Sequence, residues 1–376
     1  MAEQGGLIRG LEGVVAAETA LCDLDGAGGR LAYRGYGIDE LARQATYEEV
    51  AYLLWRGELP TRAQLDGFAG ELIAARPIPE PLLAAFRLLP KGVDPMRALQ
   101  LAATMLGTLD PDAADNSAEA NFRKALRLTS QLATAICVHH RIRLGKEPVP
   151  PSKELGHAAN FLFMLMGERP SPVNVRAFDA SLILYAEHEM NASTFTTRVI
   201  SSTLSDMHSA VAGGIGAIKG PRHGGAGEAV MLTLKEIGRA ENVDAFVEQA
   251  LAQKRRLMGF GHRVYRAGDP RAAVLRGLAE EACRLSGQGM WFEMAVRLHE
   301  RVNRAKGLIP NVDFYSAPLF YALGIPVDLF TPVIVAGRIA GWTAHLLEQY
   351  QDNRLIRPRG KYTGPGRRPF VPLEKR

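Results

Sequence analysis

The stretch VIVAGRIAGWTAHLL, residues Val333–Leu347, sets small or apolar side chains at Val333, Gly337, Ala340, Ala344 and Leu347, a spacing of +4, +3, +4, +3. That is one face of an α-helix, and its small residues let a second helix approach closely. Working outward, the punctuation stays helical. Thr46 stands three residues before Glu49, and Thr61, just after Pro60, stands three before Gln64, both capping-box spacings. Further helices are expected over Pro81–Leu89, Pro95–Leu109, Ala118–Leu144, Lys153–Met166 and Asn174–Ser202. Phe246, Val247, Ala250 and Leu251 mark another apolar face, running toward Lys254-Arg255-Arg256. Strand character is confined to the N-terminal region, where Thr19–Asp23 and Arg30–Tyr33 flank a turn that starts at Asp25-Gly26 and read as a small hairpin. The fold class is therefore expected to be all-α.

The 376 residues exceed one compact core and point to two lobes or one large helical body. Hydrophobic residues at 47% and charged residues at 23% are ordinary globular values, which excludes a disordered or fibrous chain. No uninterrupted apolar run approaches roughly eighteen residues, so no membrane span is expected. MAEQGGLIRG lacks a basic and then apolar leader, and Cys22, Cys137 and Cys283 are too few and too widely spaced for a disulfide framework or a CxxC metal site. A reduced, cytoplasmic chain is expected. The 45 basic and 40 acidic side chains, net +5, are interleaved, which suits anionic small molecules better than nucleic acid. Gly213–Gly227 packs seven glycines and a proline into fifteen residues and reads as a boundary or hinge, with a second near Pro318–Pro326. The expected division is a large helical domain over 1–219, a small domain over 220–319, and a return to the large domain over 320–376. The Arg-, Pro- and Gly-rich tail from Asp352 is expected to wrap a surface.

Among nine histidines, His139, His140, His157, His208, His299 and His345 read as surface or satisfied core. His223 lies in KGPRHGG, a glycine turn opening a helix, where backbone can approach a ligand closely and the helix terminus favours a neutral imidazole that can stabilise an enolate. His262 lies in GFGHRVY, with Arg271 nine residues on to clamp a carboxylate while the imidazole polarises a carbonyl. His188 stands in AEHEMN, but position 192 is Ala, so HExxH zinc ligation fails. Asp313, in PNVDFYS, sits among apolar residues that would raise its pKa toward a general base. Gly214, Gly216 and Gly220 imitate a dinucleotide loop with the wrong spacing and no preceding strand, and there is no GxxxxGK[ST]. One buried carboxylate, several neutral histidine donors and carboxylate-binding arginines fit proton abstraction beside a carbonyl and carbon–carbon bond formation.

These residues sit in GLEGVVAAETALCDLDG, YRGYGIDELA, AEHEMNASTF, GPRHGGAGEAV, MGFGHRVYRAGDPRA, PNVDFYSA and RLIRPRGKYTG. In that order and spacing the chain resembles citrate synthases, including 2-methylcitrate synthases, over nearly its whole length. The resemblance implies an α-helical homodimer whose small lobe closes over oxaloacetate to create the acyl-CoA site, with no metal or redox cofactor. It implies Asp313 as the base, His223 as donor to the thioester oxygen, and His262 as donor to the keto oxygen of oxaloacetate. His188, Arg271 and Arg338 match oxaloacetate-binding positions, and Arg357 matches an arginine supplied across the dimer by the C-terminal arm. Arg256, Arg263 and Lys306 lie near the small-lobe motifs and become candidate contacts for the CoA phosphates. Gly227 stands where the family's HGGANE carries Asn, and Ala317 where glycine usually follows the serine of NVDFYS; the extra methyl at 317 bears on the acyl pocket. Lacking the added N-terminal domain of NADH-inhibited hexameric relatives, the chain is expected to be a dimer without that regulation. Citrate synthase is the preferred reading, 2-methylcitrate synthase using propionyl-CoA the nearest alternative, and a catalytically inactive acyl-CoA or carboxylate binder the alternative of another class.

Overall fold

The computed structural model describes residues 7–376. A three-stranded antiparallel sheet comes early in the chain, with β1 (Cys22–Asp25), β2 (Arg30–Tyr33) and β3 (Tyr36–Gly37) in that spatial order. Sixteen α-helices follow among the described residues. They are α1 (Ile38–Gln44), α2 (Tyr47–Arg56), α3 (Arg62–Ala74), α4 (Glu80–Leu88), α5 (Pro95–Leu109), α6 (Ala118–Arg143), α7 (His157–Met166) and α8 (Pro172–Ala186). Then come α9 (Ala192–Ser201), α10 (Met207–Ile218), α11 (Ala226–Ile237), α12 (Val243–Ala252), α13 (Pro270–Leu285), α14 (Gly289–Lys306), α15 (Val312–Ala322) and α16 (Phe330–Gln351). The all-α class holds. No helix is long and apolar enough to cross a membrane among the described residues.

Both capping boxes form: Thr46 and Thr61 each accept the backbone N–H three residues on, and Glu49 and Gln64 reach back to the cap N–H groups. Other expected boundaries move for local reasons. β1 runs to Asp25 rather than ending at Asp23, because the Asp25 carboxylate accepts the N–H groups of Ala27 and Gly28 at 3.1 and 2.8 Å and closes the turn itself. The hairpin gains β3, paired to β2 at Tyr33 and Tyr36. The expected helix from Lys153 starts only at His157, whose N–H is taken by the Glu48 carboxylate at 2.6 Å. Asn174–Ser202 is not one helix: it breaks over Glu187–Asn191, between α8 and α9.

The glycines at 213–227 do not all form a hinge. Gly213, Gly214 and Gly216 lie inside α10, where a Cβ at Gly214 would come within 2.7 Å of Thr197 and 3.3 Å of Trp342. They are small because α5, α9 and α16 pack on them; the turn proper spans 219–225. Helix α16 is buried along most of its length. A Cβ at Gly337 would lie 2.9 Å from the Leu182 carbonyl oxygen, and one at Gly341 would overlap the Ala186 carbonyl oxygen. Backbone therefore meets backbone between α8 and α16, as the small-residue face of α16 predicted. Tyr47 locks the crossing by donating to the carbonyls of Ala336 and Gly337 at 3.0 Å each, and Trp55 Nε1 donates to Ala340 at 3.0 Å. Helices α5, α6, α8, α9 and α10 gather on α16, whereas α11, α13 and α14 gather on α15 and α12 packs on α14.

Gly341→Ala should therefore lower stability by ~1–3 kcal/mol through overpacking, while Gly70→Ala, on the open face of α3, should raise it by ~0.5–1 kcal/mol. Thermal melts of the two variants check this, and an unchanged melt for Gly341→Ala would contradict the close crossing.

Candidate active site

The break between α8 and α9 carries His188. Asn191 caps α9, its Oδ1 accepting the Thr194 N–H at 3.1 Å and lying 2.7 Å from Ser193 Oγ. Glu189 takes a left-handed φ of 51°, which turns the chain back. Beneath the loop lies a buried network: Glu187 Oε1 is 2.9 Å from His345 Nε2, His345 Nδ1 is 3.1 Å from Arg198 Nη1, and Arg198 pairs with Glu348 at 2.7 Å. A guanidinium only donates, so His345 accepts at Nδ1 and donates from Nε2 to Glu187. The His188 side chain is buried, with Nε2 3.2 Å from the Tyr265 hydroxyl.

His262 and Asp313 are brought together by main-chain pairing. Phe260 and Pro310 form an antiparallel bridge, Gly261 N–H donates to Ile309 at 2.8 Å, and Asn311 N–H donates to Gly259 at 2.9 Å. Gly259 has φ 81°, and any Cβ there would strike Val230 at 2.5 Å and Phe314 at 3.0 Å. The hairpin tip props the same loop from outside, Gly26 accepting the Arg266 N–H at 2.8 Å. Nδ1 of His262 accepts the N–H groups of Val264 and Tyr265 at 3.0 and 3.2 Å, so its proton resides on Nε2. Its ring lies 5.2 Å from that of His188 and 4.6 Å from that of Tyr265.

His223 lies in the turn just ahead of α11, whose N-terminal dipole disfavours an imidazolium. Its Nε2 accepts the Ser193 N–H at 3.3 Å and lies 2.8 Å from Ser193 Oγ, which leaves the N–H on Nδ1. Burial, followed by Arg338, pushes His223 down to about 4, and burial followed by Arg271 pushes His262 down to about 4. Burial and the same two arginines hold His188 well below the usual imidazole range. All three are neutral donors or acceptors at neutral pH.

Asp313 is the second residue of α15. Burial raises its carboxyl to about 6, against the lowering effect of the Tyr185 hydroxyl, which donates to Oδ1 at 2.8 Å. Arg271 is held by a fully buried Asp269, Nε to Oδ1 at 2.9 Å and Nη2 to Oδ2 at 2.8 Å. Oδ2 of Asp269 also accepts the Val312 N–H at 2.9 Å, so one carboxylate fixes Arg271 to the start of the helix that carries Asp313. Arg338 is 5% exposed and donates Nε to the Tyr185 carbonyl at 2.6 Å. It has no carboxylate within ion-pair distance among the described residues. Burial lowers Arg338 and the Glu187 carboxylate opposes this without forming an ion pair, so a bound anion would stabilise the guanidinium further.

His188, His223, His262, Arg271, Asp313 and Arg338 thus converge on one site. Arg357 does not join them within a single chain; it lies on the exposed arm beyond α16. Arg256 and Lys306 are also exposed, and Arg263 beside His262 pairs with Glu12 at 3.0 Å. No cluster of three or more His, Cys, Asp or Glu is arranged to hold a metal ion among the described residues. Sequence reasoning missed Tyr185, Ser193 and Tyr265. Tyr265 lies inside the quoted GFGHRVY, three residues past His262, whereas Tyr185 and Ser193 gain their roles only from contacts 128 and 30 residues away. Chemically, the site offers two neutral N–H donors, a carboxylate base and a cationic wall for an anionic ligand.

Known proteins share this arrangement of the chain. The family described as "Citrate synthase, C-terminal domain" matches residues 10–359. Citrate synthase 2 of Bacillus subtilis is 47% identical, with 98% of this chain and 99% of that protein covered. 2-Methylcitrate synthase of Mycobacterium tuberculosis is 43% identical, covering 96% of this chain and 92% of that one. The crystal structure of a ternary complex of carboxymethyl coenzyme A and oxaloacetate with citrate synthase from Thermoplasma acidophilum superposes with a TM-score of 0.94 at 31% identity, covering 99% of this chain and 100% of that one.

With Asp313 titrating near 6 and the histidines only near 4, kcat/KM should fall about tenfold per pH unit once the pH drops below about 6. A pH–rate profile at two temperatures checks this, because a carboxyl limb stays in place on warming and an imidazole limb moves.

Proposed function

The chain belongs to the citrate synthase family and is an acyltransferase, and from that premise we propose how its own residues condense acetyl-CoA, oxaloacetate and water to citrate and CoA. The observation that carries the reading is the buried Arg338, which makes no ion pair among the described residues, beside neutral histidines and a raised carboxyl. His188, Arg271 and Arg338 bind the oxaloacetate carboxylates. His262 donates from Nε2 to the keto oxygen and makes its carbon electrophilic. Asp313 takes a proton from the acetyl methyl while the C–H electron pair moves into the thioester. His223 donates from Nδ1 to the enolate oxygen that forms. The enolate carbon attacks the polarised carbonyl to give citryl-CoA, and water then cleaves the thioester, releasing CoA.

Each step asks for a modest effect. A placed base supplies ~10²–10⁴-fold and one oxyanion donor ~10²–10³-fold, so preorganisation must supply the remainder. The residues over 220–319 form the lobe that closes on the remainder of the chain, with the turn 219–225 as one hinge. Arg256, Arg263 and Lys306 lie on that lobe to meet the CoA phosphates, Arg263 exchanging its exposed Glu12 partner for them.

The arm supports a dimer. Leu355, Tyr362 and Phe370 are 58%, 77% and 81% exposed, an apolar load that nothing on the same chain covers among the described residues. A second copy gives the arm a surface and lets Arg357 of the partner subunit complete the oxaloacetate site. Relatives named citrate synthase and 2-methylcitrate synthase both resemble the chain, and one methylene is worth only ~1–3 kcal/mol of discrimination.

Oxaloacetate-dependent CoA release should show a higher kcat/KM with acetyl-CoA than with propionyl-CoA, and Asp313→Asn should lose ~10²–10⁴-fold in kcat. A propionyl-CoA preference would move the assignment to 2-methylcitrate synthesis, and no release with either would leave a binding protein. Arg357→Ala should raise the KM for oxaloacetate with the dimer intact; unchanged saturation would refute the cross-subunit role.

A further inference from the structure

Tyr185 is the next-to-last residue of α8, its side chain is fully buried, and the roles above leave it idle. Its hydroxyl lies 2.8 Å from Asp313 Oδ1 and 2.9 Å from Ser316 Oγ, while its main-chain oxygen receives Arg338 Nε at 2.6 Å. One residue of α8 therefore touches the base through its side chain and a substrate-facing guanidinium through its backbone. We propose that Tyr185 is the positioning residue of the base: its hydroxyl donates to Asp313 Oδ1, so that the substrate proton is taken at Oδ2. This rests on the reading of Asp313 as the base.

The donor direction follows from the chemistry. An ionised carboxylate only accepts, and burial keeps the Tyr185 hydroxyl protonated by raising it well above the usual phenol range. A hydroxyl carries one proton, so with the tyrosine proton on the Asp313 carboxylate the 2.9 Å contact to Ser316 Oγ is made by the serine proton, directed to the tyrosine oxygen in preference to the Asp313 carbonyl at 3.1 Å. Oδ2 has no protein donor among the described residues, which leaves it as the free basic atom. The hydrogen bond also opposes burial, which would otherwise favour the neutral, non-basic acid as water leaves the site. Because Asp313 rides on α15 and Tyr185 on α8, the bond aims the carboxylate only when these two helix groups are in register.

Other charges facing Asp313 leave the tyrosine as its one hydroxyl donor. Arg271 and Asp269 at the start of α13 act on it in opposite senses, and Arg338 of α16 lowers it at longer range. Glu228 of α11 faces Asp94 and Asp328 instead, while α11 meets Asp313 and Ser316 with Gly227. His299 of α14 is spent on Tyr315 at 2.8 Å.

The test compares wild type, Tyr185→Phe, Ser316→Ala and Asp313→Asn, full-length, in pH profiles of kcat and kcat/KM with acetyl-CoA and oxaloacetate. Loss of a donor to the charged form raises an acid's pKa, so the acid limb of Tyr185→Phe should move up by about one pH unit, with kcat lower by ~10–100-fold. The oxaloacetate KM should change by less than ~2-fold, because the Arg338 contact is to the main chain. Ser316→Ala, which removes the second partner of the hydroxyl, should move the limb the same way by less. An unmoved limb in Tyr185→Phe, or an oxaloacetate KM that rises with the loss of kcat, overturns the proposal and leaves Tyr185 a packing residue. Should Tyr185→Phe fail to fold, an unmoved limb in Ser316→Ala overturns it equally. An active Asp313→Asn would sink the base reading itself, whereas an inactive one beside an unmoved Tyr185→Phe limb sinks only the positioning role.

Discussion

The close crossing of α8 and α16 is the constraint on which the site depends. At Gly337 and Gly341 the two backbones approach until no side chain fits between them, and the Leu182 and Ala186 carbonyls lie against the α16 backbone. That approach sets Arg338 where its Nε meets the Tyr185 carbonyl. It also ends α8 under the loop that carries His188, because Glu187 must turn inward to reach His345. A larger residue at either glycine would move an arginine, a tyrosine and a histidine at once. Packing at this level transmits displacement rather than absorbing it.

Electrostatics then follow from burial. Two guanidiniums are held away from water, Arg271 matched by Asp269 and Arg338 without an ion pair among the described residues. Their field and the loss of solvent keep three imidazoles neutral rather than competing cations. The same burial raises Asp313 into the range of a useful base. A single environment produces opposite shifts in acid and base groups because it disfavours charge in both. Backbone amides choose the tautomers: Val264 and Tyr265 claim Nδ1 of His262, and Ser193 claims Nε2 of His223.

Much of this was legible in the chain before any coordinates. The +4, +3 spacing from Val333 to Leu347 announced a helix that a neighbour can approach, and both capping boxes formed where Thr46 and Thr61 stand. Local chemistry of that kind acts within one or two helical turns, so it can be read residue by residue. Reading failed where a distant partner intervened. The run from Asn174 was expected to be one helix, yet Glu187 is drawn to His345, 158 residues away, and the helix breaks there. Gly213, Gly214 and Gly216 looked like a hinge, but they are the small residues of a packed helix whose neighbours come from α5, α9 and α16.

What the sequence determined by itself was the helical class, the caps, the order of the motifs and the residue types of the site: His188, His223, His262, Arg271, Asp313 and Arg338. Periodicity, capping and chemical identity are local properties and suffice for the class, the caps and the candidates His223, His262, Arg271 and Asp313, whereas His188 and Arg338 entered through the resemblance of the ordered motifs to citrate synthases. Only the tertiary structure decided which nitrogen of His223 and His262 carries the proton, that Arg338 makes no ion pair among the described residues, and that the Tyr185 hydroxyl lies 2.8 Å from Asp313. Those properties are distances between groups far apart in the chain, fixed by helix crossings and by burial that no local window contains.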